Sequence, residues 1–380
     1  MGFLDGVLVV DSTRLLPGAY CTMLLSDMGA EVVKVEQPGL GDYMRATPPT
    51  VKGRSPAHAT VNRNKRSVGV DLKSAKGKEV MRKLLRRADI FVEGFRPGAM
   101  RRLGFSYPDV KKVNRRIVYC SISAFGQESP MSSMPGHDIN FQAMAGTMGY
   151  SGSPSVPFLQ LSDVAAGMYA AVGVLGALAG GKRPAFIDVP MVQSLMSWAV
   201  VPASSFIATG GSPSAGDSLV LGSTPFYNVY RTSDGGHIAV AAIEERFWHN
   251  LLEALGVPEL EPKRFGTPSE RKEVAEKLTR VFATRTRDEW AEALAGKDTC
   301  ATPVLTIGEA FNSGWARASP MLRKTSEGTV IWNPLKSEPS FRTAPVTGAP
   351  SLGGDTDKVL ASLGYSKAEV LGMRASGAVQ

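Results

Sequence analysis

Cysteine and histidine are scarce in this chain, three of one and four of the other in 380 residues. Cys21, Cys120 and Cys300 stand far apart in no metal or redox spacing. That excludes a disulfide scaffold or a zinc module and fits reduced thiols in a cytoplasmic protein. The G-x-G-x-x-G fingerprint is also missing: the turn after the first strand-like run reads DSTRLLPGAY, so a nicotinamide dehydrogenase loses its main support. The start of the chain has no basic region followed by an apolar stretch of signal-peptide length, since GVLVV is cut off by Asp11, and the expectation is a chain that is not targeted elsewhere. Long hydrophobic runs reduce to VAAGMYAAVGVLGALAGG at 164–181, and 11 of its 18 residues are Ala or Gly. So little apolar side chain drives membrane insertion only weakly. A buried helix whose small residues let a neighbour approach closely is expected instead.

What is present is globular: 43% hydrophobic and 21% charged residues, with length enough for two domains. The net charge of +8 is unevenly placed, because residues 1–120 carry 22 Lys and Arg against 11 Asp and Glu. These charges interleave with helix and strand patterns and come without zinc-ligand spacing or RNA-binding aromatic motifs. A nucleic acid is therefore not the expected partner, and a small phosphorylated molecule is. For single residues of KEVMRKLLRRAD the plainer reading is the wet face of an amphipathic helix.

Strand and helix patterns alternate. VLVVDST (7–13), a helix over 16–30 and EVVKVEQP (31–38) form one strand-helix-strand unit. SVGVDLKS (67–74), a helix over 75–88, DIFVEGF (89–95), helical turns near PGAMRRLG and PDVKKVN, and RIVYCSISAF (116–125) continue it. The expectation is an α/β fold with a parallel sheet covered on both faces and ligands beyond the carboxyl ends of the strands. From about 203 to 224 the composition turns to Gly and Ser, a boundary or loop. FYNVYRTSDGGHIAVAAI follows as two strands joined at Asp-Gly, then helices over 245–256 and 267–297, a turn-rich stretch over 313–352 and a final helix around 354–373.

Three ionisable residues stand in unusual settings. His137, in GHDINFQAMAG, follows a Pro-Gly turn at the edge of an apolar run, Asp163 begins the Ala/Gly helix, and Glu244 separates an apolar strand from a helix. Each also has a purely structural reading: a turn histidine bonded to backbone, a helix cap, a helix start. Asp163 beside the first amides of its helix would make an anion pocket, one able to hold an oxyanion.

Taken together, GHDINFQAMAG, the Asp163 helix start and FYNVYRTSDGGHIAVAAIEERF resemble the α-methylacyl-CoA racemase branch of the class III CoA-transferase family (CaiB/BaiF type), and NKRSVGVDLKS, VEGFRPGAMRRLGF and GQESP fit the same superfamily pattern. The resemblance runs over roughly residues 4 to 300. It implies a large Rossmann-like domain over 1–200, completed by 325–380, a smaller α+β domain over 201–324, and an interlocked homodimer with sites between the large domain of one chain and the small domain of the other. It implies an acyl-CoA substrate and no tightly bound cofactor, coenzyme A arriving as part of the substrate, with no metal, nucleic acid or membrane. Matching binding positions are Leu15, Gly18, Gln37, Val70, Lys73, Gly94, Phe95, Arg96 and Arg102, where Arg96 and Arg102 offer planar donor forks to phosphate and Lys73 a point charge. Gln37 stands where many relatives carry a basic residue against the adenine.

In the racemase branch Asp163 would be an acid/base joined by His137 and Glu244: His137, oriented and charge-stabilised by Glu244, on one face of the α-carbon and Asp163 on the other. In the transferase branch Asp163 alone would be a nucleophile beside a glycine-rich lid, for which GGSPSAG is a poor match. Racemisation of a 2-methylacyl-CoA-type thioester is the expectation, CoA transfer the alternative, and a non-catalytic CoA-binding subunit a third. The sequence after Asp163, DVAAGMY, departs from the Gly-rich racemase pattern, so a differently shaped acyl pocket is expected.

Overall fold

A computed structural model describes residues 2–149, 154–212, 219–220, 222–319, 321–325, 328–338, 340–341 and 344–380. Along the chain come β1 (Leu8–Ser12), α1 (Leu16–Asp27), β2 (Glu31–Glu36), α2 (Pro56–Val61), β3 (Lys65–Gly69), α3 (Ala75–Arg87), β4 (Ile90–Glu93), α4 (Ala99–Leu103), α5 (Tyr107–Val113), β5 (Val118–Ser123), α6 (Asp138–Met144), α7 (Leu161–Ala179), β6 (Ala185–Pro190) and α8 (Met191–Met196). There follow α9 (Val200–Thr209), β7 (Tyr227–Arg231), β8 (His237–Ala241), α10 (Glu245–Leu255), α11 (Pro268–Phe282), α12 (Arg287–Leu294), β9 (Ala301–Pro303), α13 (Ile307–Asn312), α14 (Gly314–Ala318), β10 (Leu322–Thr325), β11 (Gly328–Ile331), α15 (Thr356–Ser362) and α16 (Lys367–Ala375). They divide between two compact units, one of 1–148, 155–199 and 319–380 and one of 149–154 and 200–318.

In the first unit six parallel strands run in the order β3-β2-β1-β4-β5-β6. Neighbouring residues on each strand go to opposite faces, and β1 to β5 are buried at nearly every position, polar residues included, so both faces are covered. Val10, Val33, Phe91 and Tyr119 pack with α3, α15 and α16 on one face. Val9, Val32, Val92 and Cys120 pack with α1 and α7 on the other. The amphipathic α3 shows the rule: Val80, Met81, Leu84 and Leu85 are buried while its lysines and arginines line the wet side, and Ser74 caps its start by accepting from Gly77 N at 3.0 Å. α7 is long and apolar enough to cross a membrane by length and composition, yet it packs along α1. A Cβ on Gly167 would lie 2.7 Å from Pro17 O, so the small residues serve the close helix approach expected of them.

In the second unit β7, β8 and β9 form an antiparallel sheet, with Asp234-Gly235 turning the hairpin and Gly235 at φ +81°. Its core joins Phe226, Tyr230, Ile238, Trp248, Leu251, Leu278, Phe282 and Trp290.

Several expectations are corrected. The helix expected over 267–297 is two, because Thr286 caps a fresh start with Glu289. The final helix is also two, broken at Gly364, whose φ of +87° no helix interior tolerates. The loop expected from 203 begins as helix, α9 running to Thr209, and 213–218 lie outside the described residues. The turn-rich 313–352 stretch holds α14 and the β10–β11 hairpin.

Candidate functional site

Strand order reverses at β1: β2 and β3 lie on one side, β4 to β6 on the other. The loops leaving β1 and β4 therefore part company, and a crevice opens beyond their carboxyl ends. Buried charge fixes the first of these loops. Asp11, at the end of β1, accepts from Thr13 N (2.9 Å), Thr13 Oγ1 (2.6 Å) and Thr22 Oγ1 (2.7 Å), with Lys65 Nζ at 3.2 Å. Burial alone would raise its carboxyl, but Lys34 and Lys65 outweigh it and hold the group down to about 2. Lys34 donates to Thr13 O (3.0 Å) and pairs with Asp42 (2.9 Å), whose Oδ1 accepts from Leu15 N (3.1 Å). Leu15 is thereby held at φ +62°, ψ −165°, a region almost confined to glycine and costing roughly 1–3 kcal/mol. Three residues on, Gly18 is obligatory: a Cβ there would lie 2.3 Å from Thr13 Cβ. No residue type announces the backbone at Leu15, since leucine is the last choice for it.

A cleft of about 450 Å³ opens at this point. Arg14, Leu15 and Gly18 from the first loop line it, as do Gly94, Phe95 and Arg96 from the second, with Ser123 after β5, His137 and Asp163. A smaller hollow of about 100 Å³ shares Arg14 and Phe95 and is lined further by Gln37, Val70 and Lys73. Eight of the nine expected binding positions thus border one or both hollows, and the exposed Arg102 borders neither. Phe95 is anchored from below: Glu93 accepts from its N–H at 2.8 Å and from Ser121 Oγ, and burial pushes the Glu93 carboxyl up to about 7.

Arg14 was not among the expected residues. Its guanidinium lies 5.1 Å from the Tyr43 ring centre and 5.6 Å from that of Phe95, and it donates to Tyr43 Oη and Gln37 Oε1, both at 3.0 Å. A basic residue in the turn after the first strand of a parallel sheet is the signal that would have found it.

His137 is the N-cap residue of α6; its N–H donates to Asn140 Oδ1 at 3.0 Å, and the residue is exposed to the cleft. Asp163 lies in the first turn of α7, whose N-cap is Gln160, so it is not a cap. Burial first, and then the charge of Asp138, push the Asp163 carboxyl up to about 7. Asp138 itself is buried and accepts through Oδ1 from Ser162 N (2.9 Å) and Asp163 N (3.2 Å). Val164 N is taken by Gln160 O at 3.1 Å. This corrects the expectation that the amides around Asp163 at the helix start hold an oxyanion: those of Ser162, Asp163 and Val164 are already occupied. The structure brings His137 and Asp163 to one cleft of the first unit, and Glu244 belongs to the second, where it is the exposed N-cap residue of α10. Among the described residues no group of three or more His, Cys, Asp and Glu side chains is placed to hold a metal ion.

A carboxyl group whose proton affinity burial raises to near neutrality, in one cleft with an imidazole and the arginines of two loops, is equipped for proton transfer on an anionic ligand. The family model of CoA-transferase family III matches residues 4–356. The human alpha-methylacyl-CoA racemase is 32% identical over 387 residues, covering 97% of this chain and 95% of that one. The acetyl-CoA:oxalate CoA-transferase of Acetobacter aceti is 31% identical over 348 residues, covering 88% and 89%. The crystal structure of a CaiB/BaiF family protein from Brucella suis superposes with a TM-score of 0.83 at 27% identity, covering 95% of this chain and 99% of that one.

Proposed function

The chain belongs to CoA-transferase family III, and from that membership we propose that it is an acyl-CoA racemase inverting the α-carbon of a 2-methylacyl-CoA-type thioester. One observation carries the reading: His137 and Asp163 line the same cleft, and Asp163 binds its proton with an affinity near neutral pH. A base whose proton affinity matches the working pH serves both as acid and as base, which inversion in two directions requires.

In one direction His137 takes the α-proton, and the C–H electron pair moves into the thioester carbonyl to give the enolate. Asp163, protonated, returns a proton to the opposite face, restoring the carbonyl. The enzyme is left with a His137 imidazolium and an Asp163 carboxylate, the pair that starts the reverse passage. The nucleotide part of coenzyme A would run across Arg14 and Phe95 into the hollow of Gln37, Val70 and Lys73, with the thioester beside His137. No tightly bound cofactor enters the proposal.

A homodimer is part of the reading, with Glu244 of the partner subunit set behind His137. Exposed apolar side chains support it: Met168, Tyr169 and Val172 on α7 and Val200, Val201, Phe206 and Ile207 on α9, up to 80% exposed, ask for a covering surface.

CoA transfer through an Asp163 acyl-enzyme is the second reading, favoured by transferase relatives of nearly the same identity. A nucleophile must be ionised, and the burial and neighbouring charge at Asp163 oppose that. The test is incubation with a chiral 2-methylacyl-CoA in deuterium oxide. Deuterium at the α-carbon with loss of optical purity supports racemisation. Absence of label with every branched acyl-CoA, together with CoA passing to an added carboxylate and inactivation by hydroxylamine, overturns it.

A further inference from the structure

Asp138 has no part in the proton transfer, although it adjoins His137 and is buried beside Asp163. Its two oxygens are fully engaged. Oδ1 accepts from Ser162 N (2.9 Å), Ser162 Oγ (2.5 Å) and Asp163 N (3.2 Å). Oδ2 accepts from Gln142 Nε2 (2.6 Å), which also donates to Leu159 O (2.8 Å). The donors to Oδ1 come from the first turn of α7 and the acceptor is the first residue of α6, Ser162 lying 24 positions beyond Asp138.

We propose that Asp138 is a positioning residue for the pair His137 and Asp163: a single carboxylate, one peptide bond from the first, clasps the helix turn that carries the second. The proposal rests on the proton-transfer reading for its role, though the clasp itself is geometry. Two things follow. The distance between the two side chains is set by the bonds to Ser162 and Asp163, with Gln142 bracing the clasp from within α6. And Asp163 stands next to a fixed negative charge. Of the charged groups around it, Asp138 and His137 come from α6, while Arg14 and Arg96 line the cleft from the loops after β1 and β4. The other elements packed on α7 carry Tyr20, Cys21 and Asp27 on α1, Cys120 on β5 and Asp188 on β6. Beyond burial, the charge that acts on Asp163 is that of Asp138.

Asp138→Asn keeps an oxygen for Ser162 and Asp163 and removes the charge. The measurement is the carboxyl titration of Asp163 by carbon-13 NMR in the substrate-free full chain, its signal identified by its loss in Asp163→Asn. In Asp138→Asn the proton affinity of Asp163 is expected to fall about tenfold. The α-deuteration rate at saturating acyl-CoA falls with it by about tenfold or more, while KM stays within about twofold. An unmoved titration in a folded Asp138→Asn protein overturns the proposal. Should that variant not fold, Ser162→Ala loosens the clasp and keeps the charge: a slower exchange at unchanged KM and unmoved titration supports it, and an unchanged rate overturns it. The titration needs no substrate, so a protein with a shifted Asp163 that deuterates no acyl-CoA loses the racemase reading and keeps the clasp.

Discussion

Arg14 Nη2 donates to Gln37 Oε1 at 3.0 Å, tying a residue that lines both hollows of the crevice to one that lines the smaller. The bond, with those to Tyr43 and the ring of Phe95, pre-orders a guanidinium where a diphosphate would pass between the hollows. Arg14→Ala should raise the KM for acyl-CoA by about tenfold and leave kcat within about twofold, since the lost contact is made equally before and during the chemistry. Steady-state kinetics with one acyl-CoA decides it, and a fall in kcat at constant KM would speak for a role at the reacting carbon instead.

Asp163 also makes stability depend on pH. Its folded-state carboxyl holds its proton up to about 7, whereas in the unfolded chain it ionises near 4. Between those values the native state binds more protons, so stability is fully present below about pH 4 and declines as pH rises through 7. Asp163→Asn removes the decline. Thermal melts should coincide at pH 4 and separate at pH 8, the variant melting roughly 2–4 °C higher. Equal melting at pH 8 would mean that Asp163 is ionised there without cost.

If Glu244 serves the His137 of a partner, two inactive proteins can repair one another. Refolding a mixture of His137→Ala and Glu244→Gln chains should give mixed dimers with one intact site each and about a quarter of the wild-type α-exchange activity. Mixtures that stay inactive would confine each site to a single chain.

The charge cluster under the first loop is a stability element. Asp11→Ala leaves Lys65 buried without its carboxylate partner beside Lys34, which keeps Asp42, and it should cost about 3–5 kcal/mol in urea unfolding. A loss under about 1 kcal/mol would show that Lys65 finds another partner.

Much of the fold was legible because burial on both faces writes itself as short apolar runs such as VLVV and EVV between amphipathic helices. β6 was not, since Phe186 is 43% exposed and AFIDVP carries a charge in its middle, the mark of a strand at the sheet's edge. At the site, His137 and Asp163 stood out as ionisable groups against apolar runs. Arg14 and the clasp of Asp138 did not, because each acquires its meaning from a residue more than 20 positions away. The resemblance to a family supplied nine expected binding positions, and all of them but Arg102 line the two hollows.

The two helices that finish the chain cover the face of the sheet built by its first third: Val359, Leu360, Val370 and Met373 lie against Val68 and Val80. During synthesis the ribosome must release the whole second unit before that face can be sealed. For the time taken to make some 200 residues the nascent large unit carries an open apolar surface, so a chaperone's hold on this protein should end when α15 and α16 emerge.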